Sequence, residues 1–141
     1  MKRAEQLIPL SHDHHQGLVV SQHALRLKQE EATSEDIEQH WLKLKNCLTE
    51  QAQHHFMIEE KYLLEPLAAI GGHEEMVQRI YAEHKDFVAF TQKPVGQSLS
   101  ELQAMATLLK AHIKYEEREV FATAQQVLTT EQLDALWQAH G

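Results

Sequence analysis

The chain has 141 residues, 43% hydrophobic and 24% charged, with a formal net charge of −8, which suits one domain over residues 1–141 built on one core. A single cysteine, Cys47, excludes a disulfide framework and any multi-cysteine zinc or iron–sulfur site, and the acidic balance without a basic stripe argues against nucleic acid as a partner. No apolar run approaches membrane-spanning length and the N-terminus lacks the apolar segment of a signal peptide, so a soluble cytoplasmic protein without a membrane partner is expected.

Only five Gly and three Pro interrupt a chain rich in helix formers. Pro9-Leu10-Ser11 reads as a helix entry with a cap near Ser11, and the helix runs to about Gln29. Its apolar stripe is Leu7, Leu10, His14, Leu18, Ser21 and Leu25. His14 stands in line with the leucines. His12 and His15 point elsewhere, but His15 borders the stripe beside Val19, so the residues leave both His14 and His15 open as the inward histidine.

Residues 30–34 form a connection in which Thr33 or Ser34 caps a second helix from about Glu35 to Leu64. Its stripe is Trp41, Leu44, Leu48, Ala52, His55, Glu59 and Leu63, and Pro66 with Gly71-Gly72 ends it. A third helix from near His73 to before Lys93-Pro94 has the stripe Val77, Ile80, His84, Phe87 and Thr91. Ser98 and Glu101 form a capping box for a fourth helix reaching about Val127, on Leu102, Met105, Leu109, His112, Glu116, Val120 and Thr123. Thr130 caps a short last helix, Glu131 to His140, whose Leu133, Leu136 and Trp137 cover one end. The expected fold is all-α: an antiparallel up-down-up-down four-helix bundle with a short C-terminal helix.

Each long helix thus puts a histidine where a leucine would pack. Two segments echo each other. His55-Phe56-Met57-Ile58-Glu59-Glu60 and His112-Ile113-Lys114-Tyr115-Glu116-Glu117 share a His-x-x-x-Glu-Glu frame and the same flanking apolar positions. At a spacing of four, an imidazole and a carboxylate project from one face of a helix. Burying such groups unpartnered costs several kcal/mol per charge, at the order-of-magnitude level, so a core that does so needs compensation. A pair of metal ions provides it, with His14, His55, Glu59, His84, His112 and Glu116 as candidate ligands. Nitrogen and oxygen donors without sulfur suit iron, manganese or zinc. The Glu-x-x-His style of ferritin-like centres is absent.

The remaining histidines, His23, His40, His73 and His140, fall off the stripes and read as surface; His54 is turned about 100° from His55. Glu60 and Glu117 turn outward, with neighbouring basic residues or the outer shell of the ligands as their partners. Tyr62 and Tyr115 read as packing residues, and Cys47 as a small core or boundary residue.

The segments Ser11-His12-Asp13-His14-His15, His55 to Glu60, Glu83-His84 and His112 to Glu117 together resemble the hemerythrin-like, or HHE cation-binding, family, from about Leu10 to Thr123. The resemblance implies a four-helix bundle around a non-haem di-iron centre, oxo- or hydroxo-bridged, with manganese or zinc as substitutes. It places ligands at His14, His55, Glu59, His84, His112 and Glu116, the two carboxylates bridging. Two features depart from the oxygen-carrying members: position 80 is Ile and position 88 is Val where a second histidine of the third helix would stand, and the last pair is His-x-x-x-Glu rather than His-x-x-x-x-Asp. One nitrogen ligand fewer leaves more open positions and shifts the expectation toward sensing, iron handling or oxidation chemistry.

The leading expectation is a di-iron protein that binds O2 or a related small molecule, NO or peroxide, or senses iron or redox state, within apolar walls drawn from Leu18, Leu48, Ile80, Phe87 and Leu109. The alternative is a di-iron enzyme reducing peroxide, NO or O2, with Tyr62, Tyr115 or His15 as proton donor. A metal-free helical interaction module is the third reading.

Overall fold

The structure is a computed structural model that describes residues 2–141. Helices dominate and no strand occurs among the described residues. None of these helices is long and apolar enough to cross a membrane.

A 3-10 turn, Glu5–Leu7, leads into α1, Ile8–Leu25, with Pro9 in the first turn, where a missing N–H costs nothing. The helix therefore starts before Ser11. Leu7 and Leu10 are both fully buried, and seating Leu7 requires a helical path by that point. Ser11 instead donates its hydroxyl to Glu117 Oε2. At the other end α1 stops short of Gln29, because the Gln103 side chain donates to the carbonyls of Ala24 and Leu27 and satisfies them from another helix.

The buried face of α1 is Leu10, His14, Gly17, Ser21 and Ala24. Leu18, expected on the stripe and as a wall of the site, is 36% exposed. Gly17 takes the inner position because a Cβ there would stand 3.0 Å from Ile113 Cδ1 and 3.6 Å from Leu109 Cδ2. The helix approaches its neighbour too closely at that point for a large side chain.

Thr33 caps α2, Ser34–Gln53, in a capping box with Asp36. His54 then leaves helical geometry (φ −133°, ψ −64°), and α3, His55–Glu59, follows. A π turn, Glu60–Leu64, continues into α4, Glu65–Ile70. Pro66 does not end this path, because it falls in the first turn of α4. Gly71, at φ 82°, does.

Next come α5, Glu74–Thr91, and α6, Leu99–Tyr115. Ser98 Oγ accepts from the Glu101 N–H, one half of the capping box expected there. A second π turn, Glu116–Val120, leads to α7, Phe121–Val127. Its wider winding moves the next buried position from Thr123, the expected one, to Ala124. Thr129, not Thr130, caps α8, Thr130–His140, in a box with Gln132. Leu133 and Leu136 are buried, but Trp137 is 43% exposed and lines a surface cleft with Ile8 and Pro9.

Helix α1 packs against α2 and α6, and α5 packs against the same two, which closes a helical bundle. Helix α8 lies across the 3-10 turn, α1, α3 and the first π turn. The interior holds two apolar clusters. One gathers Leu7, Leu10, Leu63, Leu64, Leu67, Ile80, Val120 and Phe121. The other gathers Trp41, Leu44, Leu48, Phe56, Phe87, Leu102 and Leu109. In each rod the histidine and glutamate positions fall between residues of the two clusters, so a polar layer separates them.

Replacing Gly17 by Leu should lower the stability of the metal-free protein by about 1–3 kcal/mol, the usual cost of overpacking. A drop in thermal midpoint checks this; an unchanged midpoint would mean that Ile113 and Leu109 yield without cost.

Candidate metal centre

Six polar side chains meet in that layer: His14 from α1, His55 and Glu59 from α3, His84 from α5, His112 from α6 and Glu116 from the second π turn. All are at most 3% exposed. His14, not His15, faces inward; His15 is exposed. The i,i+4 spacing that marks His55/Glu59 and His112/Glu116 sets each pair on one inner face, and each pair leads into a π turn.

The carboxylates link the histidines across the bundle. Glu59 Oε1 lies 3.1 Å from His84 Nε2, and Glu59 Oε2 lies 3.1 Å from His55 Nε2. Glu116 Oε1 lies 2.9 Å from His14 Nε2 and 3.3 Å from His112 Nε2. The within-rod approaches are not aligned as hydrogen bonds. His55 Nε2, His112 Nε2, Glu59 Oε2 and Glu116 Oε2 are buried and without hydrogen-bond partners. Such orphans cost about 1–3 kcal/mol each, more when charged.

The six residues form two overlapping groups able to hold a cation: His14, His55, Glu59 and Glu116, and His84, His112, Glu59 and Glu116. Within each, the donor atoms lie within 4.8 Å of one another. The orphaned atoms belong to these groups, so the residues present fit bound cations.

Around the inner groups runs an outer ring of acids. Asp13 Oδ2 accepts from His55 Nδ1 at 2.9 Å, Glu60 Oε2 from His84 Nδ1 at 2.8 Å, and Glu83 Oε1 from His112 Nδ1 at 2.7 Å. Glu117 Oε2 lies 3.4 Å from His14 Nδ1, near but not hydrogen-bonded. An acid on Nδ1 holds the imidazole in the tautomer whose Nε2 lone pair faces inward, as metal ligation needs. Glu60 and Glu117 thus turn to the ligands. Asp13 and Glu83 were not singled out from sequence, although a signal existed: each directly precedes a ligand candidate, as Glu60 and Glu117 directly follow one.

Aromatic rings wedge the imidazoles. Phe56 stacks on His84 at 4.1 Å, Phe121 on His14 at 5.4 Å, and Phe87 meets His112 edge-on at 5.0 Å. Leu48, Ile80 and Leu109, also expected as walls, are buried in the flanking clusters.

The other histidines are not uniformly surface groups. His23 is exposed, while His40 and His73 are half-buried. His140 corrects the expectation most: its Nε2 donates to Asp13 Oδ2 at 2.7 Å. Position in the last turn of α8 gave no stripe from which to read this.

Electrostatics follow from the packing. Burial disfavours the imidazolium of His55, yet Glu59 and Asp13 outweigh it and push the group up to about 10. His112 behaves alike, with burial outweighed by Glu116 and Glu83, again to about 10. Burial also opposes ionisation of Glu116, but His112 and His14 hold its carboxyl well below the usual range. At Asp13, burial is overcome by His55 and His140, and the group falls to about 2. Burial raises the Cys47 thiol to about 11, which makes it inert.

Residues 6–124 match the family profile described as Hemerythrin HHE cation binding domain. No curated protein and no solved structure matches the chain.

Two consequences of pH follow. In the metal-free protein, His55 and His112 contribute stability fully present below pH 6.5, the ordinary histidine value, and lost as pH rises through about 10. The thermal midpoint of apo protein should therefore fall over that window. Cations need both rings neutral, so loading at pH 7 should release these two protons per chain, and affinity should rise with pH. Calorimetric titration in buffers of different ionisation enthalpy measures the release; a buffer-independent enthalpy would contradict the assignment.

Proposed function

The chain belongs to the hemerythrin HHE cation-binding family, and from that premise we propose that it holds two iron ions and binds O2 or a related small molecule, NO or peroxide, or reports iron or redox state. In this reading His14 and His55 would hold one ion, His84 and His112 the other, and Glu59 and Glu116 would be shared by both. The observation that carries it is that the two four-residue groups share both carboxylates. A single structural zinc would call for one closed tetrahedron instead.

The donor set supports iron, with manganese or zinc able to substitute. Each ion would take four protein donors, which leaves positions open for a small ligand. Ile80, one turn before His84, is fully buried and presents hydrocarbon where a further nitrogen donor could stand. Bound iron would supply Lewis acidity and paired reducing equivalents. The chain's own residues supply the rest. Phe56, Phe87 and Phe121 exclude water, and the outer acids fix the ring orientations.

The closed packing favours a ligand of few atoms. Clefts of about 260 Å³ and 290 Å³ are lined in part by His55 and His84 respectively, on the outer side of the layer. Of the groups considered as proton donors for turnover, Tyr62 and Tyr115 pack against an apolar cluster and His15 faces solvent. Binding or sensing is therefore preferred to catalysis.

Anaerobic reconstitution with Fe(II) and elemental analysis should give about two irons per chain and a raised thermal midpoint, since ligand affinity adds to folding stability. Glu59→Ala or Glu116→Ala should abolish uptake of both ions, because each carboxylate is shared. The loaded, reduced protein should give an O2-dependent optical change without sustained consumption of reductant; repeated turnover would favour the enzyme. Folded protein that refuses iron would end the reading.

A further inference from the structure

Helix α8 lies beyond residues 6–124, the stretch that matches the family profile, yet it reaches the polar layer. Leu133 and Leu136 lock it into the apolar cluster of Leu7, Leu10 and Leu63. Its last residue, His140, donates from Nε2 to Asp13 Oδ2 at 2.7 Å. The same oxygen accepts from His55 Nδ1 at 2.9 Å. The His140 carbonyl also accepts from His54 Nε2 at 3.0 Å, at the residue where the helical path breaks just before His55. Midway along α8, Gln6 donates to Asp134 at 3.0 Å.

One end of α8 therefore grips both the outer partner of His55 and the backbone break that aims His55 inward. The opposite ion position has no such tie. His84 and His112 are oriented by Glu60 and Glu83, and Glu83 is held by Arg79 of its own helix at 3.2 Å. Glu60 is 39% exposed.

We propose that His140 is a positioning residue that couples the docking of α8 to occupancy of the ion position between His14 and His55. It holds Asp13 so that one carboxylate oxygen receives both ring N–H groups, and Asp13 in turn fixes the His55 ring. Undocking of α8 frees Asp13 and weakens that position, while the His84/His112 position is left to its own acids. Linkage makes the effect reciprocal: filling the site tightens α8. The inference rests on the two-ion reading above.

Metal-free wild type, His140→Ala and His140→Gln should be titrated anaerobically with Fe(II), and exchange of the 130–140 amides followed by deuterium labelling with and without iron. Wild type should take up two ions, and iron should slow exchange in α8. His140→Ala should keep one position at wild-type affinity, lose about tenfold or more at the other, as removal of outer partners of metal-bound histidine does, and lose the iron-dependent protection of α8. His140→Gln, whose amide can still donate to Asp13, should recover most of both. Equal affinities in wild type and His140→Ala, equal weakening of both positions, or α8 exchange indifferent to iron would each overturn the proposal while the two-ion reading stands. A wild type that binds no iron would remove that reading itself, and this inference with it.

Discussion

The structure depends on how the carboxyl groups of Glu59 and Glu116 are accommodated inside hydrocarbon. Two carboxylates that are wholly buried cannot stay ionised in an apolar interior without cations or donors beside them. Four imidazoles surround them, and the rest of the interior is arranged to keep those rings in place. The same field that raises His55 and His112 toward the imidazolium form also suits the layer to a metal cation. In the proposed reading, proton and cation compete for one electrostatic niche.

The outer acids are organised as a circuit. Asp13 on α1 serves His55 of α3. Glu60, after α3, serves His84 of α5. Glu83 of α5 serves His112 of α6, and Glu117, after α6, lies against His14 of α1. Each rod thus contributes an inner ligand candidate and, next to it in sequence, an acid for the following rod. Helical geometry explains this. Adjacent residues are separated by about 100° around the axis, so if one points at the bundle centre its neighbour points at the next rod. The arrangement ties the four rods together through polar contacts of defined direction and selects a single tautomer at three of the histidines. Tertiary packing, not helix propensity, then determines which nitrogen is left for a cation.

The two π turns belong to the same design. Both start at or next to the glutamate of a His-x-x-x-Glu-Glu echo. An added residue per turn lets the glutamate face the centre and the next residue reach across to a neighbour, while Val120, Phe121 and Ala124 still return to the apolar core. A pattern of threes and fours cannot show this, and it is why the stripe drawn through Thr123 missed by one residue. Gly17 in place of Leu18 is a related miss. A glycine carries no hydropathy, so the inner face of α1 could not be read where it matters most for the approach to Ile113 and Leu109.

Periodicity within one rod is local, and the sequence alone was enough to establish the all-helical class, the rods and the inward set His55, Glu59, His84, His112 and Glu116; between His14 and His15 on the first rod only the packing decided, by burying His14. It also sufficed for the family, because its motifs are short, linear and repeated. Pairing between rods is not local. That Asp13 meets both His55 and His140, that Glu83 holds His112, and that a terminal helix seals one side of the polar layer follow from where distant segments come to rest. The His140 contact arises from the burial of Leu133, Leu136 and Leu7 in a common cluster, and the Glu83–His112 contact from the packing of α5 on α6, decisions that no spacing along the chain encodes.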